Sequence, residues 1–222
     1  MTEEITTEVS KQLINKASEF LEKIVNPPLK ELGELLADKV KFWRFKNQIN
    51  TIIKAENFIS QKGIQPKKIR LKTLFQLLEY SSWEEDPDMQ TKWASLLANA
   101  VNPEYSYYIN SSYIEILNQI SPLEAKVLDL MFQECEDFRL SEKLELSQDL
   151  VIRISFHSGF MRRVCKDFNI SLEQIIIIFD NLHRLNLLQA PTFSANKPES
   201  CYYDLIQLTP LGYEFIKYCK FQ

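Results

Sequence analysis

Glycine is nearly missing from this chain, with 4 residues in 222, against a usual share of roughly 7%. Loops that cradle phosphates need several glycines close together so that the backbone can approach the ligand, so that class of site is almost excluded. Histidine is scarcer still: His157 and His183 are the whole complement, and they do not stand at metal-ligand spacing. The four cysteines, Cys135, Cys165, Cys201 and Cys219, contain no CxxC pair, so no zinc-site pattern is legible. The start, MTEEITTEVS, is acidic and polar and lacks a signal-peptide pattern; the thiols are therefore read as reduced, in a cytoplasmic protein.

Long apolar runs are missing too. The longest stretch without a charge is Leu185–Asn196, twelve residues, short of the roughly 20 that a membrane-crossing helix needs. Nor is there an excess of one charge: 26 Lys and Arg face 30 Asp and Glu, net −4. Neither residues 1–120 nor 121–222 carry the positive bias that supports non-specific nucleic-acid binding. The one serine beside a glycine, Ser158 in HSGF, lacks the G-x-S-x-G elbow of a hydrolase. Cys165 sits among Arg162, Arg163 and Lys166, a setting that can lower a thiol pKa, but without a partnered histidine packing is the expected role.

What is present is ordinary for a folded chain, 45% hydrophobic and 25% charged, and clear helix punctuation. Asn26-Pro27, Asp86-Pro87, Ser121-Pro122 and Thr209-Pro210 each pair an N-cap residue with proline at the first helical position. Ser121 with Glu124, and Ser171 with Gln174, have capping-box spacing. Apolar residues at Val9, Leu13, Ala17, Phe20, Leu21 and Ile24 predict an amphipathic helix over Glu8–Val25. Its mixed polar face suits packing against a bundle better than a membrane surface. A long helix is predicted from Leu29 to about Gln61, ended by Gly63 and Pro66, with one stripe at Leu32, Leu36, Val40 and Trp43 and a second at Phe42, Phe45, Ile49, Ile52 and Ile59. Helices over Lys68–Ser82, Pro87–Ala100 and Ser111–Ile120 complete residues 1–120 as an all-helical bundle around the long helix.

Residues 121–222 change character. A helix over Pro122–Cys135, alternating apolar positions at Leu150, Ile152, Ile154 and Phe156, helices over Ser158–Phe168 and Leu172–Leu185, strands over Leu187–Ala190 and Cys201–Leu208, and a last helix over Pro210–Lys220 follow one another. That order is the order of a winged helix. The predicted fold is thus mainly α: a helical bundle, then a winged-helix-like domain with a small β-sheet.

Few side chains offer chemistry. The third winged-domain helix would read DNA with Arg, Lys, Asn or Gln, yet it carries Glu173, Asp180 and one arginine, Arg184; the strand turn adds only Lys197. An internal or protein-facing helix is the better reading. Glu31, Glu34 and Asp38 share a face of the long helix with Lys41 and could hold a metal, although dipole complementation with an ion-pair ladder is the plainer role. Lys62, Lys67, Lys68, Arg70 and Lys72 form a basic run, and Glu84, Glu85, Asp86 and Asp88 an acidic one. Trp43, Arg44, Asn47 and Gln48 sit where a plain core would use leucine; a buried Asn47 must find hydrogen bonds, fixing helix register or lining a groove. The candidate partner-binding residues are therefore Trp43, Arg44, Asn47, Lys67, Lys68, Arg70 and Lys72, with no catalytic, cofactor or metal site assigned.

The run NPPLKELGELLADKVKFWRFKNQ (Asn26–Gln48) resembles the signature of the abortive-infection alpha family of bacteria. EEDPDMQTKWASLLANAVNP (Glu84–Pro103), IEILNQISPLEAKVLD (Ile114–Asp129) and the segments DNLHRLNLL and LTPLGYEFIKYC between Asp180 and Cys219 fit the same pattern. Asn186 stands where such segments commonly have glycine. The resemblance implies a helical protein linked to phage defence and transfers no catalytic residue. Together with the residues, it leads to a non-enzymatic interaction protein that binds a protein partner or itself as a homodimer, with nucleic acid disfavoured as partner. A DNA-binding regulator and a metal-dependent nuclease are the alternatives.

Overall fold

A computed structural model describes residues 2–24, 42–105, 111–141, 158–189 and 206–221. The chain is mainly helical. Among the described residues the order is α1 (Thr2–Ile24), α2 (Phe42–Gln61), α3 (Leu71–Ser81), α4 (Pro87–Val101), α5 (Ser111–Gln119), α6 (Pro122–Ser141), α7 (Ser158–Phe168), α8 (Leu172–Arg184), β1 (Leu188–Gln189), β2 (Gln207–Leu208) and α9 (Pro210–Tyr218). The strands pair antiparallel, Leu188 opposite Leu208 and Gln189 opposite Gln207.

Asn26-Pro27 lies outside the described residues; the other helix starts work as their chemistry requires. Asp86 Oδ1 accepts the Asp88 and Met89 amides at 2.9 and 3.0 Å, opening α4. Both capping boxes close in both directions: Ser121 with Glu124 at 2.6 and 3.2 Å, Ser171 with Gln174 at 2.8 and 3.3 Å. Thr209 Oγ1 accepts the Gly212 amide at 2.9 Å and starts α9.

The scarcity of glycine has a counterpart at the helix ends. Left-handed residues follow α2, α7 and α8, namely Gly63 (φ 64°), Asn169 (φ 52°) and Asn186 (φ 57°). In each case that residue's amide returns three positions and the next amide returns five, as with Asn186 to His183 and Leu187 to Leu182. This is the Schellman closure. Asparagine tolerates the left-handed region, so it replaces glycine at two of these ends, including the one where the resemblance noted the departure.

Some boundaries differ from expectation. The sixth helix runs to Ser141 rather than Cys135, since no breaker follows Cys135 and the added turns are laced by Gln133–Asp137 and Arg139–Glu136 bonds. The first begins at Thr2 rather than Glu8. The paired strand segments are two residues each; the remaining expected strand residues up to 205, the alternation at 150–156 and the part of the long helix before Phe42 lie outside the described residues.

Two compact units are present: Met1–Gln119 with Tyr218–Gln222, and Ile120–Lys217. In the first, α2 contacts α1, α3 and α4, burying Ile49, Ile52, Ala55 and Ile59 against Ala17, Phe20, Leu21 and Ile24 of α1 and neighbours from α3 and α4. Among the described residues the most enclosed element is α4, which packs on α2 and α3 and is buried at every residue from Trp93 to Val101. Ala94, Ser95, Ala98 and Ala100 let neighbours approach on several faces. Its buried Asn99 donates to the Tyr218 and Lys220 carbonyls at 2.9 and 3.1 Å, and Phe221 stacks on Phe58 with centroids 5.3 Å apart, so the last described residues belong to this core.

The second unit is held by buried Val127, Leu128, Met131 and Phe132 of α6, Val164 of α7, Ile175, Phe179 and Leu182 of α8, and Phe215 of α9. Gly212 lies so close to the chain after α8 that a Cβ there would sit 2.2 Å from the Leu187 carbonyl oxygen. Tyr213 packs on Phe132 with centroids 4.9 Å apart and donates to Glu136. Burial alone would raise the Glu136 carboxyl, but hydrogen bonds from Arg139 and Tyr213 outweigh it and hold the group below the usual carboxylate range.

Two outcomes follow. Gly212→Ala is expected to destabilise the chain by about 1–3 kcal/mol in urea unfolding, because backbone rather than a movable side chain is in the way. Glu136 contributes stability above its unfolded pKa, and loses it as pH falls through its lower folded value. Acid unfolding curves of Glu136→Gln should therefore flatten relative to the parent chain over that window.

Candidate interaction surface

The polar positions of α2 meet the turn between α3 and α4. Arg44 Nη2 reaches Glu79 Oε1 at 2.7 Å, its Nε donates to Ser82 Oγ at 3.0 Å, and its guanidinium lies 3.9 Å from the Trp83 ring centroid. The Trp83 indole N–H points to the same Glu79 oxygen at 3.4 Å. One turn on, Asn47 Nδ2 donates to the Ser82 and Glu84 carbonyls at 3.1 and 2.8 Å, while its Oδ1 accepts from Gln90 at 3.3 Å. Gln48 Nε2 donates to the Leu78 carbonyl at 3.3 Å. Arg44 and Asn47 therefore hold a turn of their own unit in place. The Trp43 side chain lies outside the described residues. The sequence reading passed over Trp83, which is 56% exposed yet fixed by the Arg44–Glu79 pair; a tryptophan inside an acidic run was the available signal.

The basic run divides. Lys67 turns inward, half-buried, and donates to the Tyr105 carbonyl at 2.5 Å; burial pushes its pKa down. Lys68, Arg70 and Lys72 are exposed around the start of α3, and Lys62 stands 5.5 Å from the Phe221 ring. The acidic run has structural duties: Glu84 Oε1 accepts the Glu85 and Asp86 amides at 3.1 and 3.0 Å, and Asp86 caps α4. The arrangement leaves α3 with Lys72 in its first turn and Glu79 in its last, and with no acid in the first turn or base in the last. A helix dipole favours the opposite placement, by about 0.3–1 kcal/mol per charge.

In the second unit, α8 buries Ile175, Ile178, Phe179 and Leu182 and exposes Ile177 (67%) and Leu172. Within the apolar run Ile175–Phe179, Ile175, Ile178 and Phe179 turn inward and Ile177 faces outward. Glu173, Ile177, Asp180 and Arg184 share the outer face by their spacing. Arg184 donates to Asn181 Oδ1 through Nε at 3.0 Å and Nη2 at 2.8 Å, and Asn181 in turn donates to Glu124 at 2.7 Å. At the end of α6, Phe138 and Leu140 are also exposed.

Cys135, Cys165 and Cys219 are free thiols, and Cys201 lies outside the described residues. Burial, with Glu134 and Glu136 nearby, pushes the Cys135 thiol up to about 12, which keeps it protonated near neutral pH. No three His, Cys, Asp or Glu side chains among the described residues are grouped to hold a metal ion; Glu31, Glu34 and Asp38 lie outside them. No helix among the described residues is long and apolar enough to cross a membrane.

Asn47→Leu should test the turn clamp, since it removes the Asn47 donor from the Ser82 and Glu84 carbonyls, of which Glu84 keeps the Gln90 amide at 3.0 Å. A loss of about 1–3 kcal/mol is expected, with faster amide hydrogen exchange at residues 83–90 read by mass spectrometry.

Comparison with curated proteins found no match, and neither did comparison with solved structures. The model of the abortive infection alpha family, in contrast, matches residues 38–219. That span takes in both charged runs, the Arg44–Trp83 corner and the whole of α8. The chain belongs to the abortive infection alpha family, which associates it with abortive infection in phage defence.

Proposed function

We propose that the chain is a non-enzymatic interaction protein of abortive infection, acting by binding a protein or by self-assembly. The observation that carries this reading is the outer face of α8. It presents an isoleucine, 67% exposed, between the acids Glu173 and Asp180. The order α6, α7, α8, β1, β2 is read here as a winged helix whose third helix faces protein. A DNA reader would offer cations and amides on that face. Here the acids would meet phosphate with like charge, and the one arginine of the helix is engaged by Asn181. An exposed apolar side chain ringed by charge is the composition of a protein contact.

The test uses bacteria expressing the chain and challenged with phage, together with purified protein. Ile177→Glu is expected to abolish any protection conferred by the chain while leaving its thermal unfolding unchanged. Duplex DNA should bind only weakly and lose its binding as salt rises. Tight, sequence-dependent duplex binding removed by Arg184→Ala would refute the reading, as would turnover of nucleic acid by the purified chain.

A further inference from the structure

The charges on α3 run against its own dipole, and they are ordered end to end. Lys68, Arg70 and Lys72 are exposed at its start; Glu79, Trp83 and Glu85 are exposed at its end. Lys72, Gln76 and Glu79 follow one another at spacings of four and three, which sets them along one side of the helix, and Trp83, in the turn beyond its end, reaches back to Glu79 at 3.4 Å. From Lys62 to Lys72 there is no acid, and from Glu79 to Thr91 there are five acids and no base.

We propose that this face of α3 is where two copies of the chain meet, antiparallel across a two-fold axis beside Gln76. The proposal rests on the reading of the chain as an interaction protein and names one surface and its occupant. A face that is basic at one end and acidic at the other is its own complement when turned end for end, which is what an isologous contact requires. Lys72 then stands against the partner subunit's Glu79, and Lys68 and Arg70 against the partner subunit's Trp83 and Glu84, with each pairing made twice. A wholly basic partner would answer only the acidic end, and a wholly acidic one only the basic end. A second copy answers both.

Trp83 supplies the anchor. Its ring is exposed, yet the Arg44 guanidinium 3.9 Å from its centroid and the Glu79 carboxylate at its indole N–H fix its orientation before any contact forms. Aromatic residues held rigid in this way carry much of the binding in protein interfaces. The arginine that approaches from the second copy would meet a ring already set in place and a carboxylate-rich rim. Because the attraction is between exposed charges, it weakens as salt screens it.

Light scattering of the full chain decides the matter. At tens of micromolar and low salt the mass is expected to be twice the chain's 26.1 kDa, falling toward the single mass at high salt. Lys68→Glu with Lys72→Glu reverses two charges at the basic end, and Glu79→Lys with Glu85→Lys reverses two at the acidic end. Each variant alone should be monomeric, and an equimolar mixture of the two should recover the dimer, more weakly than the parent because Glu79→Lys also removes the carboxylate at the Trp83 indole. Circular dichroism confirms that each is folded. Independently, a Gln76→Cys variant should form an intermolecular disulfide on mild oxidation that the parent chain does not form. A parent chain that keeps the single mass at every concentration and salt overturns the proposal, as does a dimer untouched by both reversals. A monomer that instead binds a lysine-rich peptide would put a basic partner in place of the second copy and would also overturn it. None of these failures touches the α8 surface, whose loss is read by Ile177→Glu alone.

Discussion

A helix enclosed on every side cannot carry a charge and has few places for a large side chain, and α4 lives under that constraint. From Trp93 to Val101 it is buried without interruption, so its composition becomes one bulky tryptophan, two leucines, small residues and a single amide. The small residues allow α2 and α3 to approach closely. The amide of Asn99 must then be satisfied, and the carbonyls of Tyr218 and Lys220 satisfy it. The closing residues of the chain thereby become part of a core built mostly from its first half. The charges of α4 are confined to its opening turns, where Asp86 and Asp88 also complement the helix dipole.

The same economy of parts appears at the helix ends. With glycine so rare, asparagine takes the left-handed position after α7 and α8. A close backbone approach that no side chain can share falls at Gly212, against the Leu187 carbonyl. Thr209 both caps α9 and donates to the chain leaving α8, which ties the described strand pair to the helices beside it.

Membership of the abortive infection alpha family sets the biological context, and the surface chemistry gives it a form. Two surface features lie in different units: the isoleucine between acids on α8, and the end-to-end charge order of α3 beside Trp83. The acidic run near Asp86 shows how one segment can serve fold and surface together, since its carboxylates cap backbone amides while their charge remains at the surface.

Helix starts and stops were legible because caps, prolines and left-handed residues act within four or five positions along the chain. Asp86-Pro87, Ser121 with Glu124, and Thr209-Pro210 needed no knowledge of the rest of the molecule. Asn47 was legible as a residue that must find partners, since burial of an amide demands them. Which partners it finds was not legible: the Ser82 and Glu84 carbonyls are 35 and 37 positions away, and only packing brings them there. The enclosure of α4, the split of Ile175–Phe179 between two faces, and the fixing of Trp83 by Arg44 were likewise decided by tertiary structure. Periodicity tells which residues share a face, but what covers that face depends on elements distant in sequence, whose approach is set by the shape of the whole unit.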